Sequence, residues 1–136
     1  MSEFTLQATR ASARTPLVAV LGATAAATAI WVVATMADAE LTVSYGPGQP
    51  MKVTVVNVVV AALVGSLAGW GLLSLLRRFT PKARAVWTVT AIVVALVSLS
   101  GPLSATASAG TKVSLVAMHL TVATVVIAVL RRTTHR

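Results

Sequence analysis

The chain alternates between long apolar runs and short segments that carry its charge. Stretches without a charged residue cover 17–37, 53–76 and 113–130, which are 21, 24 and 18 residues long. Another begins at Ala85 and reaches Ser100, where Gly101-Pro102 interrupts the helical pattern. Thr80 suits an N-cap with Pro81 at the first helical position, which moves the start of this third span back to 81. As helices rising about 1.5 Å per residue, all four reach across a hydrocarbon core roughly 30 Å thick. Val and Thr favour strands in water. Inside a bilayer, however, only helices or a closed barrel satisfy the backbone, and four runs cannot close a barrel. The pattern predicts an all-α membrane protein: one integral domain, 1–136, built as a four-transmembrane-helix bundle with spans at about 17–37, 53–76, 81–100 and 113–130.

The connections differ in character. Residues 38–52 form one outer loop, with β-prone pieces at Leu41 to Ser44 and from Met51 onward around Gly46-Pro47-Gly48; a small hairpin and a plain loop both fit. Residues 101–112, small and hydroxylated, form the second outer loop, unless the last helix extends outward from Ser104. The segment 77–84 is short, so spans two and three make an antiparallel hairpin. Residues 1–14 and 131–136 read as tails. Ala37-Asp38-Ala39 looks like a small-x-small cleavage site, but the apolar run before it exceeds the roughly 7–15 residues of secretory cores. The first span is therefore expected to remain a helix of the mature chain.

Composition sharpens the picture. The chain is 57% hydrophobic and 10% charged, against roughly a quarter charged in ordinary soluble domains. Eleven Lys and Arg against three Asp and Glu give a net charge of +8. On a polar surface that excess would point to nucleic acid; set in clusters between apolar runs, it points to topology. Arg10, Arg14, Arg77, Arg78, Lys82, Arg84, Arg131, Arg132 and Arg136 fall on one side, and Lys52 and Lys112 on the other with Asp38 and Glu40. The positive-inside rule then places both termini in the cytoplasm of a multi-pass plasma-membrane protein. Trp87 and Phe79 are expected as anchors at the cytoplasmic interface. With no cysteine there is no disulfide, thiol relay or thiolate metal site. No phosphate-binding loop, dinucleotide fingerprint or zinc motif is present, so no cofactor is expected.

Few residues remain that could carry chemistry. His119 is the clear intramembrane ionisable residue, about two turns inside the outer end of the last span; His135 lies among the terminal arginines. Asn57 sits one turn into the second span, Asp38 ends the first, and Lys112 lies seven residues before His119 on nearly the same stripe. Each has a structural alternative. Charges at span ends commonly sit in interfacial water, and Asn57 shares a face with Ala61, Gly65 and Gly69 that suits a tight helix contact. His119 could simply bond a neighbouring helix; alone, without carboxylates at ligand spacing, it makes a poor metal site. Ala117, Thr121, Thr124 and Ala128 form a small stripe opposite His119, where a second copy could pack, unless the Thr hydroxyls bond their own helix.

Three segments, W-G-L-L-S-L-L-R-R at 70–78, S-L-S-G-P-L-S-A at 98–105 and M-H-L-T-V-A at 118–123, carry a resemblance. In that order and spacing they resemble a family of small four-helix membrane proteins, widespread in actinobacteria and classed as a domain of unknown function. The resemblance spans roughly residues 15–132. It implies a fold and a membrane location, and assigns no catalytic residue.

Two functions fit these residues. In the first, an outward-facing polar pocket of His119, Asn57, Asp38 and Lys112 binds a small amphiphile or a protein partner. In the second, a membrane-embedded isomerase or cyclase acts on a lipid-soluble substrate, with His119 transferring protons and Asp38 orienting it. The residues alone do not decide between binding and catalysis. A proton-coupled carrier fits less well, because the acids lie at span ends and not at the midplane.

Overall fold

A computed structural model describes the backbone of residues 3–132 and the side chains of residues 14–132. His135, Arg136 and the side chain of Arg10 lie outside the described residues. Helix α1 covers Glu3–Met36, so most of the segment read as an N-terminal tail is helical. That segment holds Ala, Leu, Gln and Arg with no glycine, and Pro16 removes one backbone donor without ending the helix. Strands β1 (Thr42–Val43) and β2 (Met51–Lys52) pair antiparallel, Thr42 opposite Lys52 and Val43 opposite Met51, so the connection between the first two long helices is a small hairpin. Gly46 makes its turn possible with a φ of +57°.

Helix α2 (Val55–Phe79) is followed by a turn at Thr80–Lys82, in which the Thr80 hydroxyl accepts the Lys82 N–H at 3.2 Å, and by α3 (Ala83–Ser98). Helix α4 (Ser100–Ser104) follows directly, with the break at Leu99. Pro102 explains the break: it has no N–H to give the Ser98 carbonyl, and the chain resumes with Leu103 donating to Leu99 at 3.1 Å. The Gly-Pro-Leu-Ser stretch therefore prolongs the third span, where a loop was expected. Helix α5 (Ala109–Arg132) begins four residues earlier than the sequence pattern suggests. Its first turn is capped by Ser108, whose hydroxyl accepts the Thr111 N–H at 3.2 Å. Four helical stretches, Arg14–Met36, Val55–Phe79, Ala83–Ser104 and Ala109–Arg132, are long and apolar enough to cross a bilayer.

α1 packs against both α2 and α5, and α3 lies on α2 and α5. The close approach of α1 comes from alanines one turn apart: Ala19, Ala23 and Ala27 are all but fully buried. Two apolar clusters result. Near the hairpin end, Ala27, Val58, Ala62, Leu115 and Met118 meet Val43 of the hairpin and Ala105. Near the termini, Ala19, Ala23, Leu73, Val126 and Leu130 surround Trp87. The outward surface is also apolar, with Leu21, Val33, Val64 and Val97 each more than 60% exposed, as suits a chain solvated by lipid.

The hairpin end is stitched by polar contacts. Ser44 and Thr106 exchange backbone hydrogen bonds at 3.0 and 2.9 Å, joining the hairpin to the connection before α5. Thr111, fully buried, accepts the Leu41 N–H at 3.1 Å and the Ser108 hydroxyl at 2.9 Å. Trp31 donates its indole N–H to the Val53 carbonyl at 3.0 Å, tying α1 to the start of α2.

Because Ala23 has no exposed surface, Ala23→Leu is expected to overpack the bundle and destabilise it by about 1–3 kcal/mol. Ala25→Leu, on the exposed face of the same helix, is expected to leave stability unchanged. Unfolding midpoints in detergent compare the two.

Candidate functional site

α2 and α3 are held together at one end of the bundle by Trp87. Its indole N–H donates to the Gly69 carbonyl at 2.8 Å, and the ring is 1% exposed. The expected interfacial anchoring by Trp87 is therefore corrected: an indole with a buried partner for its N–H packs inside, while Phe79, 77% exposed, stays at the surface. A β-carbon at Gly69 would lie 3.4 Å from Val126 Cγ1 and 3.9 Å from the Trp87 ring, so this crossing is a close one.

Toward the hairpin end a cleft of about 600 Å³ lies between α2 and α3, backed by α5 and reached by Ala27 of α1. Its α2 wall is small: Ala61, Gly65, Ala68 and Gly69. The Asn57–Ala61–Gly65 face was expected in a helix contact. Instead Ala61 and Gly65 are exposed, and a β-carbon at Gly65 would meet nothing within 4 Å. The stripe lines a gap because α3, anchored at Trp87, does not close over it. Since Ala61, Gly65 and Val94 both line the cleft and are exposed, the cleft opens sideways between the two helices.

The polar residues lining the cleft are Asn57, Thr90, Ser98 and His119. Thr90 and Ser98 donate their hydroxyls to carbonyls of their own helix, Val86 at 2.9 Å and Ala95 at 2.7 Å. Asn57 is a capping residue: its Oδ1 accepts the Thr54 N–H at 3.0 Å while Thr54 Oγ1 accepts the Asn57 N–H at 3.3 Å. Its Nδ2 makes no hydrogen bond to the described residues. Asn57 thus borders the cleft at its end without gluing two helices.

His119 is half-buried ten residues after Ala109, roughly 15 Å along α5. The earlier start of α5 sets it four residues further from the helix N-terminus than the sequence suggested. Nδ1 lies 2.8 Å from the Leu115 carbonyl oxygen. A carbonyl only accepts, so Nδ1 carries the proton. In the neutral ring Nε2 then presents a lone pair, and it has no partner among the described residues.

The other expected site residues do not join it. Asp38, exposed, lies outside the cleft and serves the end of α1, at a φ of 55°. The Ala39 N–H donates to Ala34 at 3.0 Å and the Asp38 N–H to Thr35 at 3.2 Å, the two bonds of a Schellman motif with Asp38 at its left-handed position. Lys112 also lies outside, its Nζ donating to the Leu103 carbonyl at 3.4 Å and bridging α5 to α4. On the far face of α5, Ala117 and Thr121 are half-buried and Thr124 and Ala128 exposed. Thr24, Thr28 and Thr88 donate their hydroxyls to their own helix, whereas Thr121 and Thr124 make no such bond among the described residues. Among the described residues no group of three His, Cys, Asp or Glu could hold a metal ion. Sequence reasoning missed the α3 side of the cleft, Thr90, Val94 and Ser98; their small and apolar residues differ little from a lipid-facing surface.

Four long apolar helices define a small multi-pass membrane protein. The chain matches the model of a family of unknown function, DUF6069, over residues 7–136, and belongs to that family, in keeping with the resemblance in its sequence. No curated protein and no solved structure matches it.

The conformation of Asp38 separates its two roles. Asp38→Gly is expected to hold or raise stability, and Asp38→Val to lower it by about 1–2 kcal/mol, since a β-branched residue resists the left-handed region. Thermal unfolding of both variants checks this.

Proposed function

We propose that this protein binds the apolar chain of a small amphiphile from within the plasma membrane, with both termini in the cytoplasm. The observation that carries this is the side-opening cleft, whose walls are almost wholly apolar but which contains one uncommitted imidazole nitrogen. Its volume falls within the roughly 300–1,000 Å³ usual for small-ligand sites. A gap facing hydrocarbon is filled by chains, and Gly65 and Ala61 leave room for one beside α2. The orientation rests on the basic residues: Arg77, Arg78, Arg131 and Arg132 sit at the helix ends opposite the hairpin, and Arg14 stands where the apolar stretch of α1 begins.

Acid/base catalysis has less support. Among the described residues His119 is the one titratable residue lining the cleft, and Asp38 lies outside it at the end of α1. The Leu115 carbonyl orients the imidazole, but no carboxylate among the described residues lines the cleft to recharge it.

Photolabelling of the full chain in nanodiscs with a diazirine-bearing hexadecyl probe tests the binding. Label is expected on cleft residues of α2, α3 and α5, and Gly65→Trp is expected to reduce it about tenfold with little loss of stability. Label spread evenly over the lipid-facing surface, unchanged by Gly65→Trp, would count against the cleft. For orientation, a C-terminal green fluorescent fusion is expected to fluoresce and a C-terminal alkaline phosphatase fusion to stay inactive.

A further inference from the structure

We infer that the cleft selects an amphiphile with a neutral hydroxyl head, a long-chain lipid alcohol, which donates its hydrogen bond to Nε2 of His119. This rests on the chain-binding reading above and adds the chemistry of the head.

The proton on His119 is held by its own helix. Nδ1–H is committed to the Leu115 carbonyl at 2.8 Å, a contact within one turn of α5 that holds the ring in one tautomer. The neutral ring can then offer a ligand only an acceptor, and a ligand that meets Nε2 must bring a donor. Ethers, esters and hydrocarbons have none.

Charge narrows the choice further. Among the described residues no Lys or Arg lines the cleft; Lys112, on the same helix, reaches instead to the Leu103 carbonyl outside it. A phosphate or carboxylate beside His119 would be buried in an apolar wall without a counter-ion, which a low dielectric penalises heavily. A cationic head meets no carboxylate either, because Asp38 and Glu40 both lie outside the cleft. What remains is a neutral donor.

Depth points the same way. With the 24-residue α5, about 36 Å long, centred on a hydrocarbon core of roughly 30 Å, His119 falls about 12 Å inside the core, beyond the level at which phospholipid headgroups stay hydrated. An alcohol is polar enough to need a partner there and weakly polar enough to be carried there by its chain. The hydroxyls of Thr90 and Ser98 already donate to their own helix, so they too offer a ligand only lone pairs, while Asn57, whose Nδ2 is a donor, stands apart at the end of the cleft. The small α2 wall, Ala61 to Ala68, accommodates the chain alongside.

Competition against the diazirine probe decides the matter, with the full chain in nanodiscs and hexadecanol, its methyl ether, hexadecanoate and hexadecyl phosphate as competitors. Hexadecanol is expected to compete roughly fivefold to tenfold better than the ether, and His119→Phe to abolish that difference while the probe still labels the cleft. Nitrogen NMR on the unmutated protein supplies a readout independent of folding. His119 is expected to show a protonated Nδ1 and an unprotonated Nε2 whose signal shifts with hexadecanol and not with the ether. Equal competition by alcohol and ether, stronger competition by either anion, or a proton found on Nε2 would overturn the alcohol assignment and leave chain binding standing. If cleft labelling is absent, both readings fall together.

Discussion

The close approach of α1 to its neighbours is the constraint on which the bundle depends. In a bilayer, helices gain little by hiding apolar surface, since lipid is as apolar as they are; association relies on fit. Ala19, Ala23 and Ala27 give α1 a flat edge that both α2 and α5 meet. With α1 filling that side, α3 is left at the periphery, where only Ala83 and Trp87 are buried. It is pinned toward the termini by the Trp87–Gly69 bond, and at its other end it continues into α4 across the break imposed by Pro102. Between those fixed points α2 and α3 stand apart, and the cleft is the consequence.

Polar residues at the hairpin end are largely occupied in holding the structure. Asp38 takes the left-handed position that ends α1, Asn57 closes the first turn of α2, and Thr111 anchors the hairpin to α5. Lys112 bridges α4 and α5. Each of these satisfies backbone groups that would otherwise be exposed where the helices end. His119 differs because its bond to Leu115 uses one nitrogen and leaves the other directed to no protein group. The proposed binding of an amphiphile head rests on that atom.

The four helices were legible in the sequence because hydropathy responds to length and charge, and both are extreme in this chain. The faces of those helices were not, because a run of Val, Ala and Leu looks alike toward lipid and toward protein. Trp87 shows the limit: its place near a span end suggested an interface, and only the close crossing at Gly69 reveals a buried partner. The Ala61–Gly65 series was visible as a small stripe, but small residues permit a helix to approach without requiring one to do so. Two local motifs could have been read further. Thr54-x-x-Asn57 at the head of an apolar run has the spacing of a capping box, and an Asp two residues beyond a helix end suits a left-handed cap. Both would have moved those residues from the candidate site to the scaffold.

An experimental structure of the full chain in lipid tests the side-opening cleft most directly. The expected result is elongated non-protein density between α2 and α3, running along Ala61 and Gly65 and ending against Nε2 of His119. Helices α2 and α3 packed together along their whole length, with the His119 ring enclosed by protein side chains, would contradict it.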